Sequence, residues 1–466
     1  MHRNRSFSSP KIARDLRQKL AVTADEATLP VIVRYRDAAR ISLPKAPGLQ
    51  VTRVYHLLPA IAARLPAREV QTLASDDTIE RIWLDFTVHA TLDVSAPAVG
   101  ANIAWESRIT GQGIQVAILD TGIDPEHPDF GDRIVAASNY LKVPSVGQPD
   151  SWNKQDRSAI DGNGHGTHVA GIVAGNGAAS DGLYRGIAPE ATLLVAKVLD
   201  DSGAGEASDV IAGLEWAFDK GAQVACLSLG SDEAGDGTDA LSVACDELVE
   251  RGLIICVAAG NAGPRPYTIG PPACARQVIT VGAADLTRRS SGIVTVAGFS
   301  SRGPTSDRRT KPDIVFPGVG IASCRALQGH IGEPVDRFTE YYVRTSGTSM
   351  AAPFAAGTCA LLLQESPEST PKQIKELLCQ SAKPLNEDAN AQGSGLGNVA
   401  RSLEFLRDLP LPEPAEPEPA GCLWAFLSWL RSVPQVATKE LTDPSRPSHS
   451  NQPALADTAL SFKEKR

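Results

Sequence analysis

The sequence predicts an α/β protein built on a mostly parallel, doubly wound sheet, preceded by a small α+β domain and followed by a disordered tail. Two observations support this prediction. Between about residues 99 and 404, apolar runs rich in β-branched residues alternate with longer helical patterns, as they do when helices cover both faces of a parallel sheet. On either side of this region, the composition and the order of the patterns change.

The central region, residues 99–404, is expected to form one large domain. Its predicted strands are 114–119, 192–198, 223–229, 253–258 and 277–283, and its predicted helices are 165–175, 208–219, 239–251, 349–364 and 371–381. The strand patterns are nearly continuous apolar runs, which is typical of strands buried on both faces. A nucleotide site is not indicated, because no G-x-G-x-x-G follows the first strand and no Walker lysine is present.

The flanking regions have different characters. Residues 1–98 contain strand patterns at 29–35, 51–55 and 78–84, and a proline-initiated helix at 67–74. Residues 405–466 begin with a stiff linker rich in proline and glutamate and continue as a polar, disordered tail. The tail contains an apolar segment, 422–433, with two tryptophans. This segment could dock on a partner, a membrane surface or the protein itself, or it could be a sticky end without a role.

Composition narrows the possible functions. Lysine and arginine total 45 against 54 acidic residues, a net charge of −9, and no basic block occurs beyond the extreme N-terminus, which argues against nucleic acid as a partner. No apolar run is long enough for a transmembrane segment. The N-terminus lacks the apolar core of a signal peptide, and the eight cysteines show neither a disulfide framework nor zinc-ligand spacing. We therefore expect a cytoplasmic location.

Residues 347–353, Gly-Thr-Ser-Met-Ala-Ala-Pro, place a serine at the start of a predicted buried helix. Gly347 permits a sharp turn, and Ser349 lies in the first helical turn. There, unpaired backbone N–H groups and the positive end of the helix dipole favour a developing negative charge. Considered alone, the segment has a simpler explanation, in which Thr348 or Ser349 only caps the helix.

Three other segments contain the groups that a nucleophilic serine needs. A serine hydroxyl is a weak nucleophile until a base takes its proton, and that base needs a carboxylate to fix its tautomer. Asp120 ends an apolar strand, and His165 lies among three glycines. Asn261 follows a buried strand, where its amide could donate a hydrogen bond to an oxyanion. Each segment is common alone, but all four in the order Asp, His, Asn, Ser are not.

This arrangement resembles the subtilisin-like serine proteases, or subtilases, over about residues 99–404. Segments 184–191 and 299–304 are similar to those of the AprX-type bacterial branch, which lacks a secretion signal. The resemblance implies a sheet of the subtilisin type and an endopeptidase that acts on protein or peptide substrates.

The resemblance also implies a role for each site residue. Asp120 would orient and stabilise His165, and His165 would act as general base and then as general acid. Ser349 would be the nucleophile, and Asn261 would complete the oxyanion hole beside the Ser349 N–H.

An extended peptide would bind between two edges of the chain. The expected residues are Ser228, Leu229 and Gly230 on one edge, Gly203, Ala204 and Gly205 on the other, and Ala258, Ala259 and Gly260 in the facing wall of the specificity pocket. Segments 228–230 and 258–261 carry no charge, so we expect cleavage after apolar or medium-sized residues.

By the same resemblance, residues 1–98 would be a propeptide that assists folding and then inhibits by laying its C-terminal end in the active site. Processing is expected between about His89 and Ala98. Propeptides of this type usually have a helix after the first strand, but residues 37–50 contain two prolines, so that helix is expected to be short or absent. The alternative is an accessory domain that is never removed.

The chemistry requires no cofactor, but structural calcium stays open. The calcium loop typical of secreted subtilases is not evident in Asn176–Gly182, which offers one carboxylate, although Asp124 and Asp129 could contribute elsewhere. Phe354 stands where many subtilases have histidine, and we expect this difference to affect helix packing only.

Two alternative functions remain possible for the chain: a catalytically silent binding protein, and a hydrolase of small esters or amides.

Overall fold

The computed structural model describes residues 9–36, 46–55, 58–85, 87–90, 99–141, 157–231, 233–287, 293–331 and 339–408. The predicted tail from residue 409 onward, with its apolar segment 422–433, lies outside these residues. So do residues 91–98, which hold most of the expected processing region, and residues 37–45, where the doubtful helix would fall.

The N-terminal domain is an antiparallel sheet with strand order β2-β3-β1-β4 and helices packed against it. Its elements are α1 (Arg14–Val22), β1 (Thr28–Tyr35), β2 (Gln50–Val54), β3 (Ala60–Pro66), α2 (Val70–Ala74) and β4 (Ile79–Leu84), followed by the separate strand β5 (Thr87–Ala90). The three predicted strands are confirmed. The predicted helix at 67–74 is a 3-10 turn that continues into α2, and α1, β3 and β5 are additional.

The central domain has the predicted alternation of strands and helices. Its strands are β6 (Gln115–Asp120), β7 (Ile134–Asn139), β8 (Thr192–Lys197), β9 (Ala204–Glu206), β10 (Val224–Leu227), β11 (Leu229–Gly230), β12 (Ile254–Ala258), β13 (Ile279–Asp285), β14 (Thr295–Val296), β15 (Ile314–Pro317), β16 (Ile321–Cys324) and β17 (Tyr342–Thr345). Its helices are α3 (Ala101–Glu106), α4 (His165–Ala174), α5 (Ala207–Asp219), α6 (Ala240–Glu250), α7 (Thr348–Glu365), α8 (Pro371–Ser381), α9 (Ala389–Gln392) and α10 (Val399–Asp408).

The large sheet has strand order β14-β13-β12-β10-β6-β8-β7, with β15 beside β13. All of its pairings are parallel except that of β13 with β14. The predicted strand at 223–229 is in fact two strands, because the chain leaves the sheet after β10 and β11 pairs elsewhere. The other predicted elements are confirmed, with ends that differ by one or two residues.

Alternation along the central strands fills a separate core on each face of the sheet. In β6, Val116 and Ile118 belong to the core that includes α4 and α7, whereas Ala117 and Leu119 belong to the core that includes α5 and α6. The second core also contains Trp83 and other side chains of the N-terminal sheet. The N-terminal sheet therefore covers α5 and α6. In the described part of the chain, no helix combines the length and hydrophobicity of a membrane span.

Candidate active site

Asp120 and His165 form a buried pair at the carboxyl edge of the large sheet. Asp120 is the last residue of β6 and His165 is the first of α4, and both side chains are 0% exposed. His165 Nδ1 lies 2.6 Å from Asp120 Oδ1, which also accepts the Thr121 N–H at 2.7 Å. A carboxylate only accepts hydrogen bonds, so Nδ1 carries the hydrogen, and Nε2 is left as the basic nitrogen.

Glycines allow this close approach. A Cβ atom on Gly166 would lie 2.2 Å from the carbonyl oxygen of Gly122, so α4 could not otherwise begin against the turn that follows Asp120. Gly164, directly before His165, has φ +105°, a conformation that side chains with a Cβ rarely adopt. The glycines that surround the histidine in the sequence are therefore required by the backbone.

His168, one helical turn after His165, does not compete as a base. Its side chain is fully buried. Burial, with a smaller contribution from His165, lowers the pKa of His168 to about 3. The ring therefore stays neutral throughout the physiological range.

Ser349 lies in the first turn of α7, and its backbone is held from outside the helix. Pro353 lies inside this helix and has no N–H, so the Ser349 carbonyl lacks its usual helical donor. The hydroxyl of Ser228 donates to that carbonyl at 2.6 Å. In return, the Ser349 hydroxyl donates to the Ser228 carbonyl at 2.9 Å. These two hydrogen bonds therefore hold Ser349 next to Ser228, the residue that directly precedes β11.

Gly347 lies at a bend of the chain between β17 and α7, as expected, and its φ of 170° is extended. The simpler explanation, that Thr348 or Ser349 caps α7, is wrong, because no side chain at the start of this helix forms a capping hydrogen bond.

The amide oxygen of Asn261 accepts the Thr348 N–H, the first of helix α7, at 2.9 Å. That bond fixes the orientation of the amide and leaves its NH₂ group as the donor for other partners.

The two expected substrate edges lie on either side of β5. Strand β11 pairs with β5 in antiparallel register, Leu229 opposite Ala90 and Gly230 opposite His89. Strand β9 pairs with the other side, Ala204 opposite His89 and Gly205 opposite Val88. The end of the N-terminal domain is thus an extended strand between the two edges.

The other expected contact residues lie in the turn before β9 (Gly203) and at the end of the buried strand β12 (Ala258 to Gly260). Gly203 lies in the turn before β9, with φ +83°, and its N–H donates to the Asp200 carbonyl at 2.9 Å. The side chains of Ala258 and Ala259 are buried in the two cores, so only their backbone is available to line a pocket wall. Gly260, which follows them, donates its N–H to the Thr348 hydroxyl at 3.1 Å.

The N-terminal domain also caps a helix of the central domain. Helix α5 has no side-chain cap of its own, and its Ser208 N–H donates to Asp85 Oδ1 at 2.7 Å. Asp85 is 4% exposed, and burial, together with the nearby carboxylates of Glu206 and Asp209, raises its pKa to about 7. Arg53 forms an ion pair with Asp209 at 2.6 Å.

Among the residues that the structure describes, His127, Asp129 and Cys324 lie together, buried, at distances at which they could hold a metal ion. Asp129 accepts hydrogen bonds from the Ala179 N–H at 2.9 Å, the Tyr342 hydroxyl at 2.8 Å and the Cys324 thiol at 3.5 Å. Burial raises the pKa of this thiol and of the Tyr342 hydroxyl, so both keep their hydrogens. Calcium needs converging oxygens without such donors, so these residues do not fit it.

The other expected calcium ligands are similarly engaged. The two oxygens of Asp124 accept the N–H groups of Glu126 at 3.0 Å and Leu327 at 2.9 Å. The side-chain oxygen of Asn176 accepts the Ala178 N–H at 2.9 Å. The oxygens of Asp124 and Asn176 therefore accept hydrogen bonds from N–H groups of the loop backbone.

The family to which these features belong is settled by comparison with known proteins. Residues 111–397 match the peptidase S8 family, described as the subtilase family. The chain belongs to the subtilase family. The match includes Asp120, His165, Asn261 and Ser349.

Individual relatives agree with this assignment. The chain is 38% identical over 366 residues to serine protease AprX of Bacillus subtilis (strain 168), covering 75% of this chain and 80% of the relative. It is 32% identical over 362 residues to subtilisin E of the same organism, covering 77% and 84%. This subtilase is a subtilisin-like serine endopeptidase.

A solved structure shows the same fold. Fervidolysin from Fervidobacterium pennivorans, described as a keratinolytic enzyme related to subtilisin, aligns with a TM-score of 0.65 at 26% identity. The alignment covers 83% of this chain, which spans 62% of the fervidolysin chain, less than two thirds of its length.

Several functional contacts were not predicted from the sequence. Asp85 and the hydroxyl of Ser228 act on segments far away in the chain, and Asp161 contacts Thr121, 40 positions before it. One signal was available: Pro353, four residues after Ser349, implies a carbonyl that needs an outside donor.

The contact from Ser228 leads to a first prediction. Ser228→Ala removes the buried hydroxyl that donates to the Ser349 carbonyl, which should lower the free energy of unfolding by about 1–3 kcal/mol. Loss of the hydrogen bond from Ser228 should also displace Ser349, the expected nucleophile, and lower kcat roughly tenfold or more. Chemical denaturation and steady-state kinetics on a peptide substrate measure the two effects.

A matched control is Ser402→Ala. The Ser402 hydroxyl is equally buried and donates to the Asn398 carbonyl at 2.9 Å, but that carbonyl also accepts a helical N–H. The control should lose less stability and keep its kcat. Equal effects in the two variants would show that Ser228 has no special role.

Proposed function

We propose that this chain is an endopeptidase that works through a triad of Asp120, His165 and Ser349, and that it processes its own N-terminal domain. The buried 2.6 Å contact between His165 and Asp120 is the observation that most supports the triad. Family membership supports the reaction class, hydrolysis of peptide bonds.

In the proposed mechanism, Ser349 Oγ attacks the scissile carbonyl carbon while His165 Nε2 takes the hydroxyl proton. Asp120 stabilises the resulting imidazolium. The oxyanion is stabilised by the Asn261 NH₂ group and the Ser349 N–H, a first-turn group with no acceptor inside its own helix. His165 then protonates the leaving amine, and an acyl-enzyme forms on Ser349. Water, activated by His165, attacks the acyl carbon and releases the second product.

The arrangement of β5 supports a peptide substrate over a small ester or amide. Both expected edges pair with one extended segment of the chain itself, as they would with a bound peptide. Digestion of casein, together with reaction with a serine-directed fluorophosphonate, distinguishes a protease from a small-ester hydrolase and from a silent binding protein.

The register of β5 also indicates a processing position. Gly230 faces His89 and Leu229 faces Ala90, so Ser228, which directly precedes Leu229, is adjacent to the end of β5. The Ser349 hydroxyl contacts the Ser228 carbonyl. We therefore place the scissile bond after Thr91, which lies outside the described residues and is the medium-sized, uncharged type expected before the cleaved bond.

Self-processing leads to a second prediction. Purified wild type should lose residues 1–91, about a fifth of its 49.1 kDa mass, whereas Ser349→Ala should keep its full mass. Intact-mass spectrometry and N-terminal sequencing measure both. Equal cleavage of the two proteins would mean that another protease is responsible, and no cleavage of either would favour a permanent accessory domain.

A third prediction concerns pH. Asp85 has its pKa raised to about 7 while it is buried against α5, and Asp209 has its pKa raised to about 6, mainly by burial and against the effect of Arg53. Once the domains separate, water restores ordinary, lower pKa values, so the docked state binds more protons. Docking should therefore be strongest at low pH and weaken as pH rises through about 6–7.

Size-exclusion chromatography of the processed protein measures retention of the cleaved domain between pH 4.5 and 8.5. Retention should be greater at the acidic end, and Asp85→Asn should reduce the dependence because its side chain does not titrate. Better retention at alkaline pH would contradict the assignment.

A further inference from the structure

The carboxylate of Asp161 is buried between the two segments that carry the acid–base pair. Its side chain is 1% exposed and accepts four hydrogen bonds. One oxygen accepts the Thr121 hydroxyl at 2.8 Å and the Gly164 N–H at 2.6 Å. The other accepts the N–H of Thr167 at 2.8 Å and its hydroxyl at 2.7 Å.

These donors are adjacent to both members of the pair. Thr121 follows Asp120 directly, and the other donors lie within two residues of His165. The Thr121 oxygen also accepts the Gly166 N–H at 2.9 Å, so Asp161 and Thr121 together connect the end of β6 to the start of α4. The length of the Asp120–His165 hydrogen bond depends on the relative position of these two segments.

An ionised carboxylate is the side chain that suits four converging donors. It has acceptor sites on two oxygens and no hydrogen of its own. Asparagine has one oxygen, and its NH₂ group would face N–H and O–H donors. Alanine would leave all four donors buried without an acceptor, at a substantial cost in stability.

We propose that Asp161 is a positioning residue for catalysis, which holds His165 against Asp120 by joining the segments that carry them. The inference rests on the proposed roles of Asp120, His165 and Ser349. The alternative is that Asp161 only stabilises the start of α4, in the manner of a helix cap, without affecting the chemical step.

The two roles are distinguished by the kinetics of the self-processed protein, with active sites counted by complete fluorophosphonate labelling. Asp161→Asn should lower kcat about 10- to 100-fold, because small displacements of catalytic groups have effects of this size. KM should change less than about threefold, because Asp161 lies outside the substrate edges. The midpoint of thermal unfolding is measured on the same samples.

Asp129→Asn is the matched control, because the Asp129 carboxylate is also fully buried and also accepts several hydrogen bonds, but none from residues next to Asp120 or His165. It should lower the unfolding temperature and leave kcat per active site unchanged. An equal fall in kcat for the control would overturn the inference.

A second set of variants does not depend on the folding of Asp161→Asn. Thr121→Val removes the hydroxyl that bridges Asp161 and Gly166, and should lower kcat, whereas Thr121→Ser keeps the hydroxyl and should restore it. The double variant of Thr121→Val with Asp161→Asn should lose less than the product of the single losses, because both act on one connection.

Unchanged kcat per site in Asp161→Asn and Thr121→Val, whatever the change in unfolding temperature, would leave Asp161 as a helix cap and overturn the inference. The proposed triad would still stand if Ser349→Ala is inactive in the same assay. If Ser349→Ala keeps full activity, the proposed function itself fails.

Discussion

The hydrogen bond between Asp120 and His165 depends on two chain segments that meet at one edge of the sheet. Parallel strands bring Asp120 to the carboxyl end of β6, and the turn after it must then accept the first turn of α4 at backbone distance. Gly166 makes that approach possible, and buried contacts from Thr121 maintain it. The pair is shielded from water, so its electrostatic interaction is stronger than it would be in solvent.

Ser349, the proposed nucleophile, is held in place by a different set of contacts. Helix α7 is buried almost throughout, and its proline frees the carbonyl of Ser349 to bond with Ser228, which lies where the chain leaves the sheet to form β11. Asn261, three residues after β12, accepts the first N–H of the same helix. Ser349, the proposed oxyanion donor Asn261 and the expected substrate edge at Ser228 are therefore connected through one set of hydrogen bonds, and a shift of one of them would move the others.

The sequence was sufficient to predict the elements that carry the site, because long apolar strands and a small-residue helix are strong local signals, and glycines mark the turns between them. Other elements gave weak signals: α1 buries only Leu16 and Leu20 among its nine residues. Strand β5 is a strand because β9 and β11 lie on either side of it. The contacts of Asp161 and Ser228 join residues 40 and 121 positions apart, which no local pattern indicates.

The most direct test of the central claim is the rate at which a fluorophosphonate labels the protein, with the modified residue identified by peptide mapping. Wild type and Asp120→Asn are first trimmed with the same external protease to free the cleft. The account predicts a single label on Ser349 and a rate about 10⁴-fold lower in the variant, because the histidine would lose the partner that fixes its tautomer. Labelling at another residue, or equal rates in the two proteins, would contradict it.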